Sequence, residues 1–96
     1  MRNRYLVAYD IPDQKRLRSV HRKLLGYGEP IQYSVFICDL SQTELITMKS
    51  QLLQLINANQ DSIVIIDLGP VKGRGANSID YMGKTFEIPE RKPSII

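Results

Sequence analysis

The sequence predicts an α+β fold in which an antiparallel sheet carries two helices on one of its faces. Three observations predict it: short apolar runs of strand type, two segments with apolar residues at helical spacing, and the alternation of these segments along the chain. The 96 residues have the length of one domain. We expect residues 1–96 to form it, with about 69–96 as a loop and a C-terminal segment that docks the partner protomer.

The first strand is predicted at about residues 4–9, where the apolar run YLVAY is followed by Asp10 and Pro12. Aspartate is depleted in strands and proline ends them, so the strand stops here. The proline and the aspartate after it suit the start of a helix, which runs to Leu25 with one apolar stripe. We expect Gly26-Tyr27-Gly28 to end this helix, with a glycine in the left-handed conformation.

The middle of the chain predicts further strands and a second helix. Residues 30–40 are rich in β-branched and aromatic side chains, but they are long for one strand and are expected to bend near residues 33–34. Ser41 and Glu44 have the spacing of a capping box at the start of the second helix. Residues 62–68 form another apolar strand. The order is therefore βαββαβ, which is the ferredoxin-like arrangement.

The first and the last predicted strands are apolar at every position, not at alternate positions. In residues 5–9 and 63–66, side chains that point to opposite sheet faces are all apolar. Two helices cover only one face, and a half-solvated sheet would alternate apolar with polar residues. We infer a homodimer packed sheet to sheet, with a C-terminal strand that exchanges between protomers.

The composition indicates a soluble protein with an anionic partner. The formal charge is +3 and the isoelectric point about 9.2, which favours an anion without identifying it. No apolar run approaches the ~20 residues of a membrane helix, and none has the length of a signal-peptide core. We therefore expect a cytoplasmic protein with no membrane partner. The single cysteine, Cys38, is expected in the core, and it excludes zinc and CxxC redox sites.

Asp10 at the end of the first strand has two interpretations. It is a helix-start carboxylate, stabilised by the helix dipole, or it is a metal ligand or general base at a strand end. One carboxylate holds Mg²⁺ weakly, although this ion keeps several waters and often uses only one or two carboxylates besides phosphate oxygens. A two-fold dimer would supply a second copy of Asp10 if the strand ends meet near its axis.

The first helix carries five cations in nine residues and no acidic residue among them. A solvated helix face is one interpretation, but such charges repel one another unless an anion neutralises them, and a phosphate backbone is the natural candidate. The glycine-rich loop after the last strand adds two further basic residues. The predicted nucleic-acid-binding residues are Lys15, Arg16, Arg18, Arg22, Lys23, Lys72 and Arg74.

Three other polar residues are expected to have structural roles. His21, the only histidine, lies within or beside the apolar stripe of the first helix and is expected to pack there. Asp39 and Asp67 stand near predicted strand ends, and we expect both to be turn or cap carboxylates.

Several short motifs have a characteristic order and spacing. YDI at 9–11 closes the first strand, YG at 27–28 ends the helix, and IQYSVF at 31–36 opens the extended segment. IDYMG at 79–83 and IPER at 88–91 follow in the tail. Together these motifs, which span nearly the whole chain, resemble those of the small CRISPR adaptation proteins of the second Cas family.

The resemblance implies a ferredoxin-like homodimer whose C-terminal strands complete the partner's sheet. It also implies a metal-dependent endonuclease that acts on single-stranded RNA or double-stranded DNA. The family's first-strand aspartate corresponds to Asp10, one from each protomer, with Mg²⁺ or Mn²⁺ as cofactor. The family's helix arginine corresponds to Arg16 or Arg18. The other family positions fall on Tyr9, Ser34 and Phe36.

The same resemblance implies a role in spacer acquisition, in which a central dimer bridges two dimers of the CRISPR integrase and its basic surface holds duplex DNA. This role needs no catalysis, so a purely structural DNA-binding adaptor is the alternative function. A ferredoxin-like regulator that binds a small molecule is a third, weaker alternative. Ile37 departs from many family members, which have an acidic residue after SVF, so a second carboxylate is not expected there.

Overall fold

The computed structural model describes residues 1–84, in which a four-stranded antiparallel sheet packs against two helices. The predicted α+β, ferredoxin-like fold is confirmed. In chain order, the elements are β1 (Asn3–Asp10), α1 (Gln14–Leu25), β2 (Glu29–Gln32), β3 (Val35–Leu40), α2 (Gln42–Leu55), β4 (Ser62–Pro70) and a short 3₁₀ helix (Arg74–Asn77).

The sheet has the strand order β2-β3-β1-β4, and every neighbouring pair is antiparallel. β1 is therefore a central strand, paired with β3 on one side and β4 on the other. The expected bend at residues 33–34 separates β2 from β3. The expected C-terminal strand and the IPER motif lie outside the described residues.

Alternate residues of the central strands form the core between the sheet and the helices. Tyr5, Val7 and Tyr9 of β1 are at most 5% exposed and pack in one cluster with residues of β3 and both helices. Cys38 belongs to this cluster and is completely buried, as expected. Each fully buried aliphatic or aromatic side chain stabilises the fold by about 1.5–3 kcal/mol. This cluster fixes the orientation of β1, and therefore of every side chain on its opposite face.

The face of the sheet away from the helices is apolar and partly open. Leu6 and Ala8 of β1 point to this open face. Their partners on β4 are Ile66, which is 47% exposed, and Val64, which is 50% exposed. The 3₁₀ helix covers the far end of the face, where a Cβ on Gly75 would lie only 3.0 Å from that of Arg4. Apolar residues on both faces of the sheet were predicted, and this is confirmed.

Both helices begin with a side-chain cap, and the cap of α2 is the one that was predicted. The carboxylate of Asp13 accepts a hydrogen bond from the Arg16 amide at 2.9 Å, so Asp13 is the N-cap of α1. Ser41 and Glu44 form the predicted capping box of α2, with bonds of 2.8 and 3.1 Å. These caps fix where α1 starts relative to the end of β1.

The left-handed glycine expected within residues 26–28 is wrong, because Gly26 is right-handed, with φ at −77°, and Gly28 does not have a positive φ either. The helix ends without a left-handed residue because the amides of Gly26 and Gly28 bond to the last carbonyls, those of Lys23 and Leu24. The glycine that the packing requires is Gly28. A Cβ at Gly28 would lie 2.1 Å from the Ile37 carbonyl oxygen.

The role expected for Asp39 is also wrong. Asp39 lies inside β3, is 9% exposed, and receives two hydrogen bonds from the Arg4 guanidinium, at 2.8 and 3.0 Å. A strand position next to an arginine on the paired strand cannot be distinguished from a turn by local sequence alone. Asp67 does act as a turn carboxylate, because it accepts the Gly69 amide at 2.8 Å.

None of the helices within residues 1–84 is both long enough and apolar enough to cross a membrane.

Substitution of Gly28 by alanine is expected to destabilise the protein by about 1–3 kcal/mol, the usual cost of overpacking. The added methyl group would overlap the Ile37 carbonyl and the Cys38 sulfur, at 2.1 and 2.7 Å. Gly26→Ala is the matched control, because Gly26 is exposed and already right-handed. Urea unfolding of both variants measures the effect, and equal stabilities for the two would contradict this explanation.

Candidate functional site

Asp10 is the last residue of β1, and its side chain points to the open face of the sheet. Alternate residues of a strand share a sheet face, so Asp10 lies on the same face as Leu6 and Ala8. It is paired with Ser62 of β4. Asp10 is exposed, and no residue within 1–84 gives its carboxylate a hydrogen bond or ion pair. The alternative role, the helix-start carboxylate, belongs to Asp13. The structure therefore leaves Asp10 available for a ligand.

The described residues offer a metal only part of a site. Residues 1–84 contain no group of three or more histidine, cysteine, aspartate or glutamate side chains that could hold an ion. Mg²⁺ nevertheless binds through one or two carboxylates when waters and substrate phosphates complete its shell. An exposed, unpaired Asp10 on an apolar sheet face fits one half of a site shared by two protomers.

Arg16 is the cation of α1 whose charge is balanced within the protein. Its Nε lies 2.7 Å from Asp61, its Nη2 bonds to Asp61 and Gln60, and its Nη1 lies 3.8 Å from Asp13. The hydrogen bond from Arg16, together with the Asn57 amide, lowers the pKa of Asp61. The pair joins the start of α1 to the loop that precedes Ser62. Arg16 thus fastens the two segments that flank Asp10.

The other cations of α1 are free of such partners. Lys15, Arg18 and Arg22 are exposed, and none of them forms an ion pair with any residue in the described range 1–84. Lys23 is half-buried. Arg16 and Arg18, the two candidates for the family's helix arginine, differ in their contacts: the charge of Arg16 is balanced by Asp61, whereas Arg18 faces solvent.

The basic residues of the loop after β4 are not part of the same cluster. Lys72 precedes the 3₁₀ helix and Arg74 is its first residue; both are exposed, at the end of the sheet where Asn3 pairs with Pro70. Asp10 is at the other end of β1, a distance on the order of 20 Å for a strand of this length. The fold therefore places basic residues at both ends of the sheet and the exposed aspartate at one end only.

The family-motif residues lie behind Asp10 and support it. Phe36 is completely buried, and the Tyr9 amide donates to the Ser34 carbonyl at 3.1 Å. The Tyr9 hydroxyl lies 3.0 Å from Nδ1 of His21, whose ring packs edge-on against Phe36 at 5.2 Å. Burial raises the pKa of Tyr9, which keeps the phenol neutral. His21 is therefore a packed residue, as expected.

One feature of this region was not predicted. Tyr33 projects from the turn between β2 and β3 and is 77% exposed beside a cleft that α1 borders. The sequence indicated a bend at this position and gave Tyr33 no role. The only available signal was its place in the turn, where side chains commonly face solvent.

Comparison with known proteins places these features in a family. The family model described as CRISPR associated protein Cas2 matches residues 2–72. A Rhodospirillum rubrum protein named CRISPR-associated endoribonuclease Cas2 1 is 42% identical over 92 residues, which cover 96% of this chain and 89% of the relative. A Geobacter sulfurreducens protein named CRISPR-associated endoribonuclease Cas2 is 33% identical over the full length of both chains, 96 residues.

Solved structures have the same fold. Streptococcus pyogenes Cas2, crystallised at pH 6.5, superposes with a TM-score of 0.73 at 33% identity, covering 83% of this chain and 99% of that one. A hypothetical protein from Thermus thermophilus superposes with a TM-score of 0.80 at 29% identity, covering 93% of this chain and all of its own.

The bond between Arg16 and Asp61 is expected to make stability depend on pH. Because the folded-state pKa of Asp61 is below its usual 3.8, the bond stabilises the fold fully above that value and is lost as pH falls through the folded-state pKa. Asp61→Asn should therefore unfold at lower urea concentration than the wild type at neutral pH, and the difference should vanish in strong acid. Asp80→Asn, at an exposed carboxylate, is the control. A difference that stayed constant with pH would contradict this role.

Proposed function

The chain belongs to the CRISPR associated protein Cas2 family, and from this premise we propose that it acts in CRISPR adaptation as a homodimer with metal-dependent endonuclease activity on single-stranded RNA or double-stranded DNA. The observation that carries the proposal is the exposed, unpaired Asp10 at the strand end, on the apolar face of the sheet. Two of its relatives are named as endoribonucleases.

The open face of the sheet supports the dimer. Val64 and Ile66 are about half exposed there, next to Leu6 and Ala8 on the neighbouring strand. Burial of such apolar surface contributes about 25 cal/mol for each Å² removed from water, so a second copy of the same face is a favourable partner. Asp10 continues the line of Leu6 and Ala8, and a two-fold axis near it would bring the two carboxylates together.

The roles of the residues follow from their charges and contacts. Asp10 of each protomer would hold Mg²⁺ or Mn²⁺, and a bound ion of this kind polarises a phosphodiester and lowers the pKa of water. Arg18 and Arg22, which are exposed, bind the phosphates that flank the cleaved one. Arg16 acts through Asp61 and fixes the segments on either side of Asp10.

A structural adaptor that bridges integrase dimers on duplex DNA is the second candidate function. It is favoured by the basic residues at both ends of the sheet, which could follow the backbone of a duplex over several base pairs. Neutralisation of phosphates accounts for binding in this case, and Asp10 has no catalytic role. The two functions are compatible, because the same surface binds nucleic acid in both.

Asp10→Asn is expected to abolish metal-dependent cleavage by purified protein, with a loss of at least about 100-fold. Binding of the same RNA or DNA in a chelator should persist, because the phosphate-binding cations are unchanged. Glu29→Gln, at an exposed carboxylate of β2, is the control and should cleave like the wild type.

Two outcomes would redirect the proposal. Cleavage at the wild-type rate by Asp10→Asn would place any nuclease activity elsewhere. Normal spacer acquisition by this variant together with its integrase would show that cleavage is dispensable, and would favour the adaptor.

Ile66→Lys is expected to convert the dimer into a monomer, because it places a charge in the centre of the apolar face. Light scattering after gel filtration at micromolar concentration measures the mass. Leu53→Lys is the matched control, since Leu53 is 67% exposed but lies on α2. A monomeric wild type, or a dimeric Ile66→Lys variant, would rule out the sheet-to-sheet dimer.

A further inference from the structure

A cleft with an aromatic wall lies on the helix side of the sheet, behind the strand end that carries Asp10. Its volume is about 360 Å³, within the range of small-ligand sites. Tyr33 and Leu25, which are 77% and 51% exposed, border it, and Tyr9 and His21 also line it. None of these side chains has a part in the metal site proposed above.

The backbone that carries Tyr33 is held in place although its ring is exposed. The buried Tyr9 hydroxyl donates to the Tyr33 carbonyl at 3.3 Å, and the Tyr9 amide donates to the carbonyl of Ser34 at 3.1 Å. The same hydroxyl oxygen lies 3.0 Å from Nδ1 of His21 on α1, which ties it to the helix as well. An exposed aromatic ring on an anchored turn loses little conformational freedom when a flat ligand stacks on it.

The rim of the cleft is positively charged. Arg18 and Arg22 line it, one helical turn apart on α1, and neither has an ion-pair partner among residues 1–84. The cleft therefore combines an exposed aromatic ring, apolar side chains and two cations. This combination is typical of surfaces that bind unpaired nucleotides, where bases stack on aromatic rings and cations contact the phosphates.

We propose that this cleft binds one unpaired base of a single-stranded nucleic acid, stacked on Tyr33, with the adjacent phosphates at Arg18 and Arg22. A base inside a duplex is already stacked on both faces, so the ligand is a single strand or the frayed end of a duplex. The proposal rests on the proposed nucleic-acid function and adds to it a subsite for the strand.

The position of the cleft relative to Asp10 would allow one nucleic-acid strand to reach both sites. Ala8 is paired with Val35, so the turn that carries Tyr33 lies at the same end of the sheet as Asp10. Tyr9 lines the cleft and Asp10, the next residue, points to the opposite face. A nucleic-acid strand that crosses this edge of the sheet can contact both the cleft and Asp10, so the stacked base would position a neighbouring phosphate near Asp10.

Tyrosine 33 is tested with a fluorescent replacement. The chain has no tryptophan, so Tyr33→Trp introduces a single reporter. In a chelator, which prevents cleavage, we expect octamers of oligo(U) or oligo(dU) to quench its fluorescence. These two differ only in the sugar, so the octamer that quenches at lower concentration identifies the preferred sugar. Tyr33→Ala should weaken binding about 5- to 150-fold, while Tyr33→Phe, which keeps the ring, should bind like the wild type.

Matched controls separate stacking from charge. Leu53→Trp places the reporter on α2, away from the cleft, and should not be quenched. Arg18→Gln should weaken binding and reduce its salt dependence, whereas Lys49→Gln, an exposed cation of α2, should change neither. An octamer with abasic sites should bind as weakly to the wild type as the intact octamer does to Tyr33→Ala.

The subsite is ruled out if a blunt duplex quenches Tyr33→Trp as strongly as a single strand, or if Tyr33→Ala binds the octamers like the wild type. Either result leaves the proposed function intact provided that wild-type binding of duplex DNA remains salt-dependent. Failure of the wild type to bind any of these nucleic acids would instead reject the proposed function itself.

Discussion

The central position of β1 is the constraint on which the rest of the structure depends. This strand is hydrogen-bonded on both sides, so its side chains can only alternate between the two faces of the sheet. Tyr5, Val7 and Tyr9 enter the core, and Leu6, Ala8 and Asp10 therefore point to the open face. A shift of one residue would exchange the two sets and bury the aspartate among the helices. The packed core thus fixes the side of the sheet on which Asp10 is exposed.

The charges of α1 are divided by the same packing. Arg16 faces Asp61 and Gln60, in the loop before β4, while Arg18 and Arg22 face solvent along the cleft. The bond between Arg16 and Asp61 is part of the fold and is expected to weaken only in strong acid. The exposed arginines carry charge that the described chain does not neutralise, and an anionic ligand would do so. A helix that reads as one basic surface in the sequence is therefore two surfaces with different roles.

The strand end joins two chemically different surfaces. Asp10 is on the open sheet face, where a second protomer is proposed, and Tyr9 lines the cleft on the helix side. The turn that carries Tyr33 is bonded to Tyr9, so the positions of both surfaces depend on one dipeptide. Family membership accounts for the fold and for the proposed use of Asp10. The aromatic cleft is formed by side chains of β1, α1 and the turn between β2 and β3.

Local sequence determined the elements and their starts: the apolar strands, the Asp13 and Ser41–Glu44 caps, the bend at residues 33–34 and the doubly apolar sheet. These depend on neighbours within a few positions, which a single sequence shows directly. The tertiary structure decided what depends on distant residues. It paired Arg4 with Asp39 and Arg16 with Asp61, and it assigned the need for glycine to Gly28 because β3 passes within contact distance. Hydrogen bonding and close approach across the sheet set those pairings, and no local pattern encodes them.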